Sequence, residues 1–418
     1  MKKILLKQLL SSLLFLPVFA NAQNTVIKAG YMFDSRTGKM LKDQTIIIKG
    51  GRIIETGSNL TYNRTDTVID LSKSWVLPGL MDCHVHITSN YPYRKYSDIS
   101  AAYINESSGF RSLRGAFVAE QLLKNGFTTI KDIGNDANYA TADVIKAIRQ
   151  GWVKGPSIFY SGKIIAPYGG QSSGVNIEHE HLWDFEYIDA DNPDEIEKAV
   201  RKNMYYGANT IKLVSGDNAY YDLDDIKAAV DEAKKFDAKV TVHVMGGTAA
   251  RNVIMGGAAA IEHGFYLDDE LLRLMKEKGT FLVGTDLGFD NFYAYGLDSA
   301  TSNNIANAII DRLKRAYTIG TKMAFGSDII IDLPGLNRVQ TNLTVLRAWK
   351  KAGIPASYIL QTMTLYAAEL LGTEKSRGVL EKSFRADIIA LKKDPLEDID
   401  AIKDVQFVMK DGKIIKQD

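Results

Sequence analysis

The sequence predicts an α/β protein: a (β/α)8 barrel of the TIM type carrying a small β-sandwich domain built from both chain ends. Three observations predict it. Short apolar runs alternate with helical stretches over residues 78–378, the pattern of repeated βα units. Strand-rich segments punctuated by turn residues occupy 23–77 and 379–418. Side chains able to do chemistry stand at the carboxyl ends of the apolar runs, the face on which barrels assemble their sites. A doubly wound open sheet competes, but no Gly-x-Gly-x-x-Gly follows an early run.

The 418 residues exceed what one small core holds. Apolar residues make up 45% and charged residues 24%, ordinary for a soluble enzyme. A net charge of +1 removes the electrostatic case for nucleic acid.

Residues 1–22 read as a signal peptide. Lys2, Lys3 and Lys7 form the basic start, 9–19 the apolar centre, and Ala20-Asn21-Ala22 a small-x-small cleavage site that leaves Gln23 first in the mature chain. The apolar centre is too short to span a bilayer. The expectation is an exported protein, periplasmic or secreted, with no stable membrane insertion once the signal is removed. In 23–77, Thr45-Ile46-Ile47-Ile48-Lys49 and Arg52-Ile53-Ile54-Glu55 flank Gly50-Gly51, a hairpin signal. Runs at 387–391, 405–409 and 413–415 close the chain in the same style. Each end alone would leave unpaired edges, so the two are expected to meet.

The barrel runs follow in order. The first ends at His86. Then come 128–134 with a helix over 138–150, 157–165 with a long insertion and a helix over 193–206, and 210–214 with a helix over 223–236. Next are 239–244 with 248–255, 260–263 with 268–278, 280–285 with 303–319, and 323–327 with 339–352.

The first run ends in Asp82-Cys83-His84-Val85-His86. Residues i and i+2 of a strand share a face, so His84 and His86 project together, a ready pair of imidazole ligands. Exposed strand histidines are the plain alternative, since a lone H-x-H is weak. Cys83 is the one cysteine, so no intramolecular disulfide forms, and neutral packing suits it better than a nucleophile role. Lys212 lies inside Thr210-Ile211-Lys212-Leu213-Val214, where an ordinary buried charge is costly. It either snorkels from a strand end or takes up carbon dioxide as a carbamate able to bridge two metals. His243, His263 and Asp328 each end a run. Singly they read as core histidines or an N-cap aspartate. Together, five runs bring His84, His86, Lys212, His243, His263 and Asp328 to one mouth.

These residues, within Pro78-Gly79-Leu80-Met81-Asp82-Cys83-His84-Val85-His86, Ile211-Lys212, Val242-His243, Ile261-Glu262-His263-Gly264 and Gly326-Ser327-Asp328, resemble the amidohydrolase superfamily, in its imidazolonepropionase-like and Xaa-Pro dipeptidase-like branch. The tail segments Ala386-Asp387-Ile388-Ile389 and Asp394-Pro395-Leu396-Glu397-Asp398 look like it too. The resemblance implies a binuclear centre of two divalent metal ions, usually zinc. His84, His86 and Asp328 would hold one ion, His243 and His263 the other, and an N6-carboxylated Lys212 would bridge them. Two such ions about 3.5–4 Å apart would acidify a water between them and polarise a carbonyl, and Asp328 would be the catalytic residue that passes the proton to the leaving amine.

Two positions depart from the family pattern. Where the branch carries a histidine in a Gly-Gly-His segment, this chain has Tyr168-Gly169-Gly170-Gln171-Ser172, and where it carries a tyrosine after the fifth-run histidine this chain has Met245. Gln171 can still donate a hydrogen bond. The usual Xaa-Pro preference is thereby put in question.

The expected rim is aromatic: Tyr91, Tyr93 and Tyr96; Trp183, Phe185 and Tyr187; Tyr220 and Tyr221; Phe289, Phe292, Tyr293 and Tyr295. It reads either as loop anchoring and a homo-oligomer contact, or as a pocket for a bulky group. Gln171, Tyr168, Tyr220, Tyr221 and Tyr293 are the substrate-binding candidates. Arg94 and Lys95 could meet a carboxylate or stay solvated. His179 and His181 repeat H-x-H in the insertion, where a surface loop is the better reading. The expected activity is cleavage of an amide in a dipeptide or N-acyl amino acid. Hydrolysis of a cyclic amide or lactone is the second reading, and a ligand-binding barrel without turnover the third.

Overall fold

The computed structural model describes residues 23–95, 99–134, 137–171, 176–216 and 219–418. Residues 1–22, which the sequence reads as a signal peptide, and Tyr96 lie outside them.

Both chain ends contribute to one sheet. Strands β1 (Thr25–Asp34), β2 (Lys39–Lys49), β3 (Arg52–Ser58) and β4 (Thr67–Pro78) come from the start of the chain. Gly50 and Gly51, at φ 58° and 78°, make the two-residue turn that joins β2 to β3, a left-handed pair matched to the twist of a hairpin. The sheet is seven-stranded and includes three strands from the far end of the chain, Ile388–Leu391, Val405–Lys410 and Lys413–Gln417. The Ile388 strand pairs with the end of β4, with Ile388 opposite Pro78. Side chains from both flanks, among them Ile46, Ile53, Phe407 and Met409, share one apolar cluster.

The middle of the chain alternates parallel strands with helices. Strands β5 (Leu80–Val85), β6 (Phe127–Asp132) and β7 (Ser157–Tyr160) form one ladder. A second ladder contains β8 (Ile164–Ala166), β9 (Tyr187–Asp189), β10 (Thr210–Val214), β11 (Lys239–Val244), β12 (Ala260–His263) and β13 (Phe281–Val283), in the order β13-β12-β11-β10-β8-β9. β5, β6, β10 and β12 are buried at every residue, as strands covered on both faces must be. The helices Pro193–Tyr205, Leu223–Lys234 and Asp269–Lys278 start where Asn192, Asp222 and Asp268 accept their first backbone N–H groups.

Two runs depart from expectation. Residues 157–165 split into β7 and β8, because Gly162 turns left-handed at φ 69° and takes Ser161–Lys163 out of the ladder. Residues 323–327 form no named strand, only a bridge from Met323 to Leu282. The backbone still bonds on both sides: Ala324 N donates to Leu282 O (3.1 Å), Cys83 N to Phe325 O (2.8 Å) and Asp328 N to His84 O (2.8 Å). Helix Ser108–Lys124 follows the first run, as the repeated βα pattern requires, and Ala356–Thr362 and Leu365–Leu371 add two helices after the eighth. In Ser108–Lys124, Phe110, Leu113 and Phe117 face outward, which blurs the apolar period and hides the helix bounds in the sequence.

Candidate metal centre

The end of β5 and the segment after Gly326 meet at one point. His84 Nε2 lies 3.2 Å from His86 Nε2 and 3.3 Å from Asp328 Oδ1, and His86 Nε2 lies 3.1 Å from the same oxygen. Ligands about 2.1 Å from one tetrahedral ion stand roughly 3.4 Å from each other, so this triangle has the dimensions of one cation's coordination face. The opposite ring nitrogens are tied down. His86 Nδ1 donates to Gly134 O at 2.8 Å, and His84 Nδ1 meets Glu262 Oε2 at 2.7 Å. A carbonyl only accepts, so His86 Nδ1 carries a proton and Nε2 is the nitrogen left to face Asp328.

His263 stands at the end of β12, and Asp328 just past the eighth run. Both have left-handed backbones, at φ 69° and 54°. That conformation is costly for a residue with a Cβ, and here it re-aims the side chain at a strand end. His263 Nδ1 is 2.8 Å from Thr285 Oγ1 and 3.6 Å from Asp328 Oδ2. His84, His263 and Asp328 offer ligand atoms all within 4.8 Å of one another. His243, paired in register with Val214, sets its ring 4.3 Å from that of His263. Lys212 is buried on β10, opposite Thr241.

Electrostatics follow from this packing. Burial pushes the Asp328 carboxyl up, but His84, His86 and His263 outweigh it and hold the group well below the usual carboxylate range. Burial lowers His86, while the Asp328 carboxylate more than offsets this and raises it. Burial, His243 and Lys212 together keep His263 neutral, far below its ordinary value. Burial raises Asp82 to about 6, although its carboxylate accepts the N–H groups of His84 and Ser327 and so ties the two motifs together. Burial also pushes the Cys83 thiol up, which leaves it protonated and inert.

The other expected positions separate. Gln171 reaches the centre, with its amide nitrogen 3.2 Å from His243 Nδ1. Tyr221 does not belong to the rim: it is buried, its hydroxyl donates to Ala190 O at 2.8 Å, and it anchors its loop. Tyr168 and Tyr220 are exposed, the former with its hydroxyl on Glu180. Tyr293 stacks on Phe289 and carries the Arg94 guanidinium 3.9 Å above its ring. Met245 packs against the main core. His179 and His181 are exposed on a short 3-10 helix, Ile177–Phe185. Phe265 stands edge-on to His263, and Phe292 to Phe265, so a buried aromatic wall flanks the centre.

Three residues escape the sequence argument. Glu262 takes His84 on one oxygen and the Lys131 ammonium (2.7 Å) with the Thr241 hydroxyl on the other. Burial raises its pKa, but Lys131 and His84 prevail and the carboxylate stays ionised. Lys131, in Thr128-Thr129-Ile130-Lys131, shows the same buried-charge signal as Lys212 and could have been found by it.

The amidohydrolase family model matches residues 75–415. The chain is 29% identical to ochratoxinase of Aspergillus niger over 434 residues, covering 94% of this chain and 87% of the relative. It is 24% identical to imidazolonepropionase of Thermoanaerobacter pseudethanolicus over 379 residues, covering 84% of each. Among solved structures, a Xaa-Pro dipeptidase with bound methionine superposes with a TM-score of 0.83 at 29% identity, over 94% of this chain and 99% of the other.

Proposed function

The chain belongs to the amidohydrolase family and is a hydrolase of carbon–nitrogen bonds; from that premise we propose that it cleaves the amide of a small peptide or N-acyl amino acid bearing a bulky apolar or aromatic group. The observation that carries the reading is the triangle of His84 Nε2, His86 Nε2 and Asp328 Oδ1, whose sides are 3.1–3.3 Å.

In this reading the eight runs close into a barrel, with 323–328 bonded to β13 on one side and β5 on the other. His84, His86 and Asp328 would hold one divalent cation, zinc by donor type. His243 and His263 would hold a second, with Lys212, as a carbamate, between them. Bound there, such ions would supply carbonyl polarisation and acidify a water. The chain's own residues do the rest. Asp328 takes a proton from the attacking water on Oδ2, the oxygen that faces His263, and gives it to the departing nitrogen. Water adds across the C–N bond, its oxygen to the acyl carbon and its proton to the amine. Gln171 donates to the substrate carbonyl from beside His243. Phe265 and Phe292 give an apolar flank. The relatives' names, an ochratoxinase and a Xaa-Pro dipeptidase, support an amide substrate.

The test is a substrate panel on purified mature protein. N-acyl amino acids with aromatic acyl groups should turn over faster than acetyl-glycine. Chelation should abolish cleavage, zinc or manganese should restore it, and Lys212→Ala should lose at least one metal equivalent. A metal-replete protein that cleaves no amide refutes the proposal. Cyclic-amide hydrolysis is the second reading, favoured by the imidazolonepropionase relative, and the same panel separates it. Export is part of the proposal: the mature protein should begin at Gln23.

A further inference from the structure

Beneath the donor triangle lies a buried ion pair for which amide hydrolysis itself has no use. Glu262 and Lys131 are 0% and 2% exposed. They come from β12 and β6, and Thr241 joins them from β11. Lys131 and Thr241 also line a cavity of about 110 Å³ together with Asn209, Lys239 and Ala259, residues at or before the amino ends of their strands. Glu262 links the two: one oxygen meets Lys131 and Thr241, which line that cavity, and the other meets His84.

We infer that Glu262 is a positioning residue that fixes the proton of His84 on Nδ1 and so keeps its Nε2 lone pair facing the metal position; this rests on His84 being a ligand. The argument is one of donors and acceptors. An ionised carboxylate accepts and never donates. Its Oε2, 2.7 Å from Nδ1, therefore requires a proton on Nδ1. Its Oε1 is engaged by two donors, the Lys131 ammonium and the Thr241 hydroxyl. Lys131 balances the charge, so Glu262 orients the imidazole without adding a net negative charge to the centre. His86 has its proton placed by a backbone carbonyl instead.

The mechanism makes an unusual prediction for Glu262→Gln. A glutamine has one accepting and one donating end. Lys131 is donor-only and claims the carbonyl oxygen, so the glutamine NH2 turns to His84 Nδ1. That nitrogen must then accept, and the proton moves to Nε2, where it blocks the metal. Glu262→Gln should therefore invert the tautomer of His84 and weaken the tighter metal equivalent about 10- to 100-fold. Adding Lys131→Met frees the glutamine to flip its oxygen back toward His84, with Thr241 accepting from the NH2. The double variant should regain the Nδ1 proton and most of the affinity. A bridge that merely ties β6 to β12 predicts the opposite, since the second substitution would add damage.

The experiment is long-range 1H–15N spectroscopy of histidine-labelled protein, with His84 assigned by its loss in His84→Asn, alongside zinc titration by competition with a chromophoric chelator. The expected results are Nδ1–H in wild type, Nε2–H in Glu262→Gln, and recovery of both tautomer and affinity in the double variant. Wild type with its proton on Nε2 overturns the inference even if Glu262→Gln does not fold. So does a Glu262→Gln protein with unchanged tautomer or wild-type zinc affinity, or a double variant no better than the single. If wild type binds no zinc, the metal reading fails, and the tautomer result still judges Glu262 separately.

Discussion

Gly326→Ala tests whether the donor triangle depends on close packing behind it. A Cβ at residue 326 would lie 2.4 Å from Val283 Cγ1 and 2.8 Å from His84 Cβ. Carbon atoms pack at about 3.5–4.0 Å, so it would be about 1.1 Å too close to Val283 and about 0.7 Å too close to His84. The segment cannot retreat easily. Phe325 O accepts Cys83 N at 2.8 Å, Ser327 N donates to Asp82 at 3.1 Å, and Asp328 N donates to His84 O at 2.8 Å. Overpacking of this kind costs about 1–3 kcal/mol. A displacement near 1 Å of a reacting group costs about 10²-fold in rate. Gly326→Ala should therefore lower the melting temperature by a few degrees and kcat/KM on the best amide by one to two orders of magnitude, with zinc affinity falling in parallel. Val283→Ala in the same chain removes the nearer clash only. Stability should return in part while metal affinity stays low, because the 2.8 Å approach to His84 remains. A Gly326→Ala protein with wild-type melting, zinc affinity and turnover would refute the reasoning.

Two further outcomes follow from buried groups. Cys83 packs among Met81, Ala260, Phe281, Val283 and Ala324, and burial keeps its thiol protonated. Cys83→Ala should lose about 1 kcal/mol of stability to the cavity and keep metal-dependent turnover, and iodoacetamide should leave the native thiol unlabelled; loss of turnover in a folded protein would restore a chemical role. In the terminal sheet, burial and the neighbouring Arg377 and Arg385 lower Lys410 to about 8, against the pull of Asp411 (2.8 Å) and Asp387 (3.2 Å). Its unfolded value is 10.5, so the folded chain holds this proton more weakly than the unfolded one. The penalty is complete below about pH 8 and is relieved as pH rises toward 10.5. Lys410→Met lacks that relief, so its stability relative to wild type should fall between pH 7.5 and 10 in urea melts; a constant difference across that range would show that Lys410 is not the group responsible.

The parallel runs were legible because burial on both faces writes them as unbroken apolar stretches. Thr210–Val214, Lys239–Val244 and Ala260–His263 come out with the expected bounds. The run at 157–165 did not reveal its break, since Ser161-Gly162-Lys163 changes hydropathy only slightly while Gly162 changes the backbone completely. His84, His86 and Asp328 were legible as a group for a chemical reason: each is expensive at the end of an apolar run unless it has a purpose. Tyr221 misled because an aromatic residue in a loop carries no mark of the direction in which it points. The left-handed turns at His263 and Asp328 were invisible, because neither residue type announces a positive φ. Glu262 shows in the sequence only as part of a motif, since its partners lie 131 and 178 positions away in the chain.

That separation explains how the fold tolerates the centre. Gathering two imidazole nitrogens and a carboxylate oxygen within 3.1–3.3 Å inside the protein costs them hydration, and left-handed residues add about 1–3 kcal/mol each. Nothing local offsets these costs. They are borne by anchors on each imidazole: a carbonyl behind His86, a carboxylate behind His84, and a hydroxyl on His263 Nδ1, the nitrogen that also faces Asp328. Every anchor sits on a different segment from the histidine it holds, so the arrangement exists only once the parallel strands are in place. A cation placed among the donors would meet three of them already at coordination spacing. In physical terms, the folding energy of the strands has already met the cost of organising the site, and binding need not meet it again.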